Sequence, residues 1–142
     1  MLGNRYARNI TTIVELLKKQ YRDPRHHNKR NPLHELVFIL LSVQTPEHSY
    51  RNAYQSFREA FPKAGDVCAA TESKIARAIR NAGLSTQRAH SIRAIYKTLV
   101  GRFGRPTLSP LKSMSNEEAE AFLTSLPRVG TKVARCVLMY SM

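Results

Sequence analysis

The sequence predicts a single all-α domain, and three observations support this prediction. Apolar residues recur with helical spacing along nearly the whole chain. Stretches in which apolar and polar residues alternate are too short to indicate strands. Signals for helix starts, in which a capping residue precedes a proline or a glutamate, recur between the apolar segments. The 142 residues are enough to bury one core.

The first two helices follow from apolar patterning and capping. Residues 6–21 carry an apolar stripe, and Lys18 and Lys19 suit the negative end of that helix. A charged loop, "RDPRHHNKRN", separates it from the second helix. Asn31 is an N-cap and Pro32 occupies the first helical position. The segment "LHELVFILLSVQ" is apolar around almost the whole cylinder, so we expect it to be the central, most buried helix.

The next two helices are indicated by two threonine caps. Thr45 and Pro46 repeat the arrangement of cap and proline, and they predict a third helix that reaches about Phe61. Thr71 caps a fourth helix, which ends at Gly83 because glycine favours a helix C-terminus.

Three further helices complete the prediction. Ser85 or Thr86 begins a fifth helix that runs toward Gly104. Ser115 and Glu118 form the capping box of a short sixth helix. The last helix follows the turn "LPRVG". It contains "VARCVLMYSM" and has no glycine, basic last turn or proline to end it, so we predict that the chain is a fragment.

The charge of the chain predicts an anionic partner. Lys and Arg number 23 against 10 Asp and Glu, which gives a net charge of +13 and a pI near 10.4. Nucleic acid is the first candidate, because binding to phosphates releases condensed counterions. An anionic membrane is the second, but no segment approaches the roughly 18 apolar residues of a span. The N-terminus lacks the apolar run of a secretory signal, which predicts a cytoplasmic (nucleoid-associated) or nuclear protein.

The turn "LPRVGTKVARCVL", residues 126–138, predicts an anion site at a helix N-terminus. Pro127 ends the preceding helix, and Gly130 permits a positive φ. The backbone amides of Val129, Gly130, Thr131 and Lys132 would then lack partners, and they would grip a phosphate. The alternative is an αα-corner that uses glycine only to turn.

Three segments resemble successive landmarks of one family. "NPLHELVFILLSVQT", "AIRNAGLSTQRAHSI" and "LPRVGTKVARCVL" are similar to parts of the helix–hairpin–helix DNA glycosylases, in the endonuclease III-like branch. The resemblance runs from about residue 32 to the last residue. It implies a bundle of six to seven helices that is incomplete at its C-terminus. Residues 1–31 would be an N-terminal helix and basic loop, and residues 32–142 the core with its hairpin at 126–131.

The resemblance implies that Lys132 is the catalytic nucleophile. The matching lysine of the family attacks C1′ of the damaged nucleotide. Only an amine can form a Schiff base with the sugar, and this imine permits β-elimination of the strand. The attacking amine must be neutral, and a helix N-terminus together with partial burial disfavours the ammonium form. The alternative is a solvated or phosphate-binding lysine.

Two further positions are implied to open the duplex. Gln44 matches the glutamine that fills the gap left by the extruded base, and Leu84 matches the apolar wedge. The alternatives are a polar helix end for Gln44 and a loop side chain folded onto the core for Leu84. Basic residues near the wedge and hairpin are predicted to contact phosphates collectively: Lys74, Arg77, Arg80, Arg88, Arg93, Arg128 and Arg135.

The chain departs from the family pattern in three ways. The family has an aspartate shortly after the lysine's helix, and this chain ends at Met142 before that position. Many members hold an iron–sulfur cluster on four cysteines, whereas this chain has only Cys68 and Cys136, which we expect to be buried small side chains. Arg128 stands where the family commonly has glycine. We therefore expect no cofactor, and the histidines show no metal-ligand spacing.

The first hypothesis is a base-excision-repair glycosylase with AP-lyase activity. It would act as a monomer on double-stranded DNA that carries a damaged base or an abasic site, and the missing aspartate puts the activity of this chain in question. The second hypothesis is a non-enzymatic DNA-binding module that uses the hairpin only to hold the backbone. An RNA-binding domain is a third.

Overall fold

A computed structural model of the chain describes residues 2–22 and 26–142. Within these ranges it has eight α-helices, two 3₁₀ helices and no strand, so the all-α prediction is confirmed. Part of the predicted basic loop, residues 23–25, lies outside the described residues, as does Met1. The α-helices are α1 (Leu2–Tyr21), α2 (Pro32–Ser42), α3 (Glu47–Ala60), α4 (Ala64–Ala69), α5 (Glu72–Ala78), α6 (Ser85–Phe103), α7 (Asn116–Thr124) and α8 (Thr131–Ser141).

Short helices account for the elements that the sequence pattern did not indicate. Helix α4 has 6 residues, and the 3₁₀ helices Arg80–Ala82 and Ser109–Ser113 have 3 and 5. Segments this short complete fewer than two turns, so they show no clear apolar period. The α-helices therefore number eight within the described residues, rather than six to seven.

The predicted caps are present at three helix starts and absent at one. The Asn31 side chain accepts hydrogen bonds from the first turn of α2, and the Ser115–Glu118 capping box is formed. Thr71 caps α5. Thr45 does not cap α3, since Pro46 occupies the N-cap position.

Helix α2 is the centre of the core, as its apolar composition predicted. It packs against α8, α3 and α6. It also buries one acid completely, Glu35. The Glu35 carboxylate accepts hydrogen bonds from the Asn28 side chain, at 2.5 Å, and from the backbone N–H of Lys29. This burial is tolerable because the charge is hydrogen-bonded, and it fixes the loop before α2 on the core.

Helix α1 carries the predicted apolar stripe but buries little of it. Ile10, Ile13, Leu16 and Leu17 are each half or more exposed. The core of the described residues is therefore made by α2 to α8. None of the described helices is long and apolar enough to cross a membrane.

Candidate active site

The hairpin between α7 and α8 is pinned by two buried side chains, Leu126 and Val129. The Val129 N–H donates to the Leu126 carbonyl at 3.2 Å, so the prediction of a free amide at Val129 is wrong. Gly130 is the N-cap of α8 with a φ of −90°, which is not the predicted positive φ. Arg128 adopts the left-handed conformation instead, with a φ of 60°. The left-handed residue of the tight turn is therefore Arg128, two positions before Gly130.

The remaining predicted amides are free. The backbone N–H groups of Gly130, Thr131 and Lys132 donate to no acceptor within the described residues. The Gly130 carbonyl accepts the bond from Ala134 that closes the first turn of α8, at 3.0 Å. Three donors and the positive end of an 11-residue helix thus face solvent together. This arrangement suits an anion such as a phosphate.

Lys132 lies in the first turn of α8, and its side chain opens into a pocket of about 670 Å³. Gln44 lines the same pocket, together with Phe38 from α2 and with Glu47 and Tyr50 from α3. Lys132 is exposed, so the expected partial burial is not seen. An accessible amine in a concave site is what a nucleophile needs.

A second, smaller pocket of about 140 Å³ joins Gln44 to Leu84, the predicted wedge. Leu84, Arg88 and Arg128 line it, and Gln44 is common to both pockets. Leu84 is 61% exposed, which excludes the alternative that it folds onto the core. The structure therefore brings Lys132, Gln44, Leu84 and Arg128 to one continuous surface.

Strained backbone marks the same surface. Gln44, Leu84 and Arg128 have positive φ values of 51°, 44° and 60°. Arg22 is the fourth non-glycine residue with a positive φ in the described ranges. A left-handed conformation costs such residues roughly 1–2 kcal/mol each. Strain of this kind concentrates at functional sites, where the surrounding structure holds it.

Arg88 holds the Gln44 turn in place. Its Nη1 donates to the carbonyls of Leu40 and Leu41 at 2.5 and 2.8 Å. Its Nη2 donates to the Val43 carbonyl at 2.6 Å and to Thr45 Oγ1 at 3.1 Å. Burial lowers the pKa of Arg88, and the nearby charge of Arg128 lowers it further.

These contacts give Arg88 a different role from the predicted phosphate contact. Helix α2 ends in carbonyls that lack intrahelical partners, and the guanidinium satisfies them. Thr45 Oγ1 also lies 3.0 Å from the Ala82 carbonyl, so the turn is tied too to residues 80–84, which we call the wedge segment because they lead to the predicted wedge. No local signal in the sequence pairs Arg88 with α2, because the contact depends on how the helices pack.

Other predicted phosphate contacts have partners within the protein. The Arg135 guanidinium donates to the Glu120 carboxylate at 3.0 and 3.2 Å, and this hydrogen bond raises the pKa of Arg135. Arg93 Nε donates to the Ala70 carbonyl at 3.2 Å. Three basic residues of the predicted set are exposed on the segment before the wedge: Lys74, Arg77 and Arg80.

The cysteines do not fit the family's iron–sulfur cluster. Cys68 lies in α4 and Cys136 in α8, and both are free and half-buried rather than fully buried. Burial raises the pKa of the Cys68 thiol. Two thiols on different helices cannot supply four cluster ligands.

Comparisons with known proteins identify relatives of this fold. Residues 37–140 match the family described as HhH-GPD superfamily base excision DNA repair protein. Over 107 residues the chain is 38% identical to an Arabidopsis thaliana protein named "Putative DNA glycosylase", an alignment that covers 75% of this chain and 36% of that protein. Endonuclease III of Thermotoga maritima is 26% identical over 128 residues, which are 89% of this chain and 56% of that protein.

Solved structures share the architecture. A thermostable thymine-DNA glycosylase superimposes with a TM-score of 0.72 at 20% identity, over 99% of this chain and 60% of that one. An endonuclease III in a non-covalent DNA complex gives a TM-score of 0.71 at 20% identity, over 95% and 59%. The chain thus spans little more than half the length of endonuclease III, and the family match covers most of the chain itself. We conclude that the chain belongs to the HhH-GPD superfamily of base excision DNA repair proteins.

Proposed function

We propose that this chain carries the reaction site of a DNA glycosylase with AP-lyase activity, in which Lys132 attacks C1′ of an extruded nucleotide. The observation that carries the proposal is that the exposed Lys132 amine shares its pocket with Gln44, directly after three free hairpin amides. The pocket volume of about 670 Å³ lies in the range that small-molecule ligands occupy.

The hairpin is proposed to hold the DNA backbone without reading its sequence. The amides of Gly130, Thr131 and Lys132 can donate to phosphate oxygens, and the α8 dipole favours the negative charge. Arg128 adds a cation beside them. The partner is double-stranded DNA that carries a damaged base or an abasic site, and the net charge of +13 favours this polyanion.

Leu84 and Gln44 are proposed to keep the duplex open. Leu84 projects into solvent from a strained turn, which suits a side chain that pushes between base steps. Gln44 lies between the wedge pocket and the Lys132 pocket, so it can fill the gap left by the base. The extruded nucleotide then enters the pocket that contains the amine.

The proposed chemistry has three steps at Lys132. The neutral Nζ attacks C1′, the bond from C1′ to the base breaks, and the base leaves with its bonding electrons and takes up a proton. The nitrogen then loses a proton and its lone pair opens the sugar ring, so that the C1′–O4′ bond breaks, O4′ takes up a proton and an imine joins Nζ to C1′. Loss of a proton from C2′ expels the 3′ phosphate and cuts the strand.

Borohydride trapping tests this proposal. Borohydride reduces the imine, so incubation of the chain with DNA that contains an abasic site should give a covalent adduct. Lys132→Ala should give none, although its fold is retained because the side chain is exposed. The matched control is Lys97→Ala, which removes another exposed lysine, from α6. An adduct of equal yield with Lys132→Ala would refute the proposed nucleophile.

A non-enzymatic DNA-binding module is the second candidate. It is favoured by the free amides at the start of α8, because these can hold a phosphate without any amine chemistry. The two candidates differ in the trapping result, because a binding module should form no adduct with either the parent or Lys132→Gln. Once the loss of one positive charge is allowed for, the module should also bind abasic duplex as tightly with Lys132→Gln as the parent does.

A further inference from the structure

A separate basic pocket of about 470 Å³ lies on α3 beside the Lys132 pocket. Three cationic side chains line it: Lys29, Arg51 and Arg58. His27 and Phe38 line both this pocket and the Lys132 pocket, so the two are neighbours that share a wall. The proposed reaction does not use this basic pocket.

Lys29 is built into the wall of the basic pocket. Its Nζ lies over the rings of Phe38 and Tyr54, 4.6 and 4.8 Å from their centroids. Burial lowers the pKa of Lys29, the Glu35 carboxylate opposes this change, and Arg51 adds to it. Because the backbone of Lys29 binds buried Glu35, the cation is held on an anchored loop.

The cations exceed the acids available to neutralise them. The Glu35 carboxylate is buried and accepts bonds from Asn28 and from the backbone of Lys29. Glu47 contacts Arg51 at 3.4 Å, but this exposed pair one helical turn apart contributes little. Arg58 makes one long bond to a backbone carbonyl, at 3.4 Å. Positive groups converge on this cavity, and an anion would relieve their repulsion.

We propose that the basic pocket is a second phosphate-binding subsite next to the Lys132 pocket. Arg51 and Arg58 would bind phosphate oxygens through paired N–H groups, and Lys29 would supply a fixed point charge. The phosphate has two possible sources. One is a phosphodiester of the strand whose nucleotide enters the Lys132 pocket, and this source rests on the proposed function. The other is free phosphate or a nucleotide.

The DNA source is tested by salt dependence. The Arg51→Gln/Arg58→Gln variant is compared with Lys97→Gln/Arg102→Gln, which removes the same charge from exposed positions on α6. The dissociation constant for abasic duplex is measured over a range of salt concentrations. Loss of one phosphate contact should reduce the slope of log K against log salt by about 0.9 beyond the control. At low salt, binding should weaken by at least about threefold more than in the control.

The free-phosphate source is tested with inorganic pyrophosphate. If it binds the basic pocket, it should raise the melting temperature of the parent and of Lys132→Ala more than that of Arg51→Gln/Arg58→Gln, in which only the hairpin amides remain to bind an anion; this difference is the pyrophosphate effect. Urea unfolding checks that each variant folds, and Arg51→Gln alone replaces the double variant if that one does not. Retained pyrophosphate binding in Lys132→Ala separates this subsite from the trapping result.

The two measurements decide between the sources. A changed salt slope without a pyrophosphate effect assigns the subsite to the DNA backbone. A pyrophosphate effect with an unchanged slope assigns it to free phosphate or a nucleotide. If the two double variants behave alike in both measurements, the proposal is overturned.

Discussion

Replacement of Arg88 by methionine should destabilise the fold and loosen the Gln44 turn. The substitution removes four hydrogen bonds, to three carbonyls at the end of α2 and to Thr45 Oγ1. A hydrogen bond to a charged group contributes about 1.5–3 kcal/mol, and an orphaned buried acceptor costs about 1–3 kcal/mol. Two effects make the loss of stability smaller than the sum of the bonds. Water can reach the Val43 carbonyl, because Val43 is exposed, and the substitution also removes the Arg88 Nε group, which is buried without an acceptor in the described residues. We therefore expect a net loss of about 2–4 kcal/mol, below the sum of the four bonds.

Urea unfolding measures this loss as a shift in midpoint at constant m-value. The control is Arg102→Met, which removes an exposed arginine from the last turn of the same helix and should change stability by less than about 0.5 kcal/mol. A folded Arg88→Met sample below the unfolding transition should also extrude the target base less completely, as reported by a fluorescent base analogue in the duplex. If Arg88→Met unfolds within about 0.5 kcal/mol of the parent, Arg88 does not hold this turn.

Four other substitutions test single residues through their effects on stability, DNA binding or pH dependence. Gly130→Ala should keep the free energy of unfolding within about 0.5 kcal/mol of the parent, since φ is −90° and an added Cβ meets no atom within 4 Å. The same substitution should weaken DNA binding in a filter or anisotropy assay. Arg128→Gly should relieve left-handed strain, but a more flexible unfolded chain offsets part of this gain. The free energy of unfolding should therefore change by between about 0 and +1 kcal/mol. A lower stability in calorimetry would contradict this expectation. Ser115→Ala should cost about 1 kcal/mol in urea unfolding, because it removes the α7 cap. Burial lowers the pKa of His34 from 6.5, and the charges of Arg58 and Lys29 lower it further. At a pH between the two pKa values, the unfolded chain binds a proton at His34 that the folded chain does not. Stability should therefore fall as the pH drops from 6.5 to the lower native pKa. His34→Gln should lose that part of the pH profile, and a profile identical to the parent would exclude His34 as its source.

Much of the fold and part of the candidate site could be predicted from the sequence, because their signals are local. The Asn31 cap and the Ser115–Glu118 capping box join residues within three positions of each other, so chain geometry alone forms them. The apolar segment of α2 could only be stable in a core. The place of Lys132 in the first turn of the last helix followed from the contiguous turn and helix start, and the structure leaves that lysine exposed at the start of α8.

The remaining features were decided only by the packing of distant helices. Thr45 was predicted to cap α3, yet its hydroxyl binds groups brought to it by α6 and the wedge segment. Arg88 was predicted to be one of the phosphate contacts, but α6 directs it onto the end of α2. The common pocket of Gln44 and Lys132 likewise requires α2 to lie against α8.

There is a physical reason why some features could be predicted from the sequence and others depended on helix packing. Caps and apolar periods are set by bonds and contacts between near neighbours in the chain, which the sequence states directly. The choice of partner for a long, charged side chain depends on which carbonyls and carboxylates the folded helices leave unsatisfied nearby. The sequence by itself therefore determined most of the helices, the family landmarks and the excess of positive charge. The tertiary structure decided which basic residues support the site from within and which remain open to a phosphate.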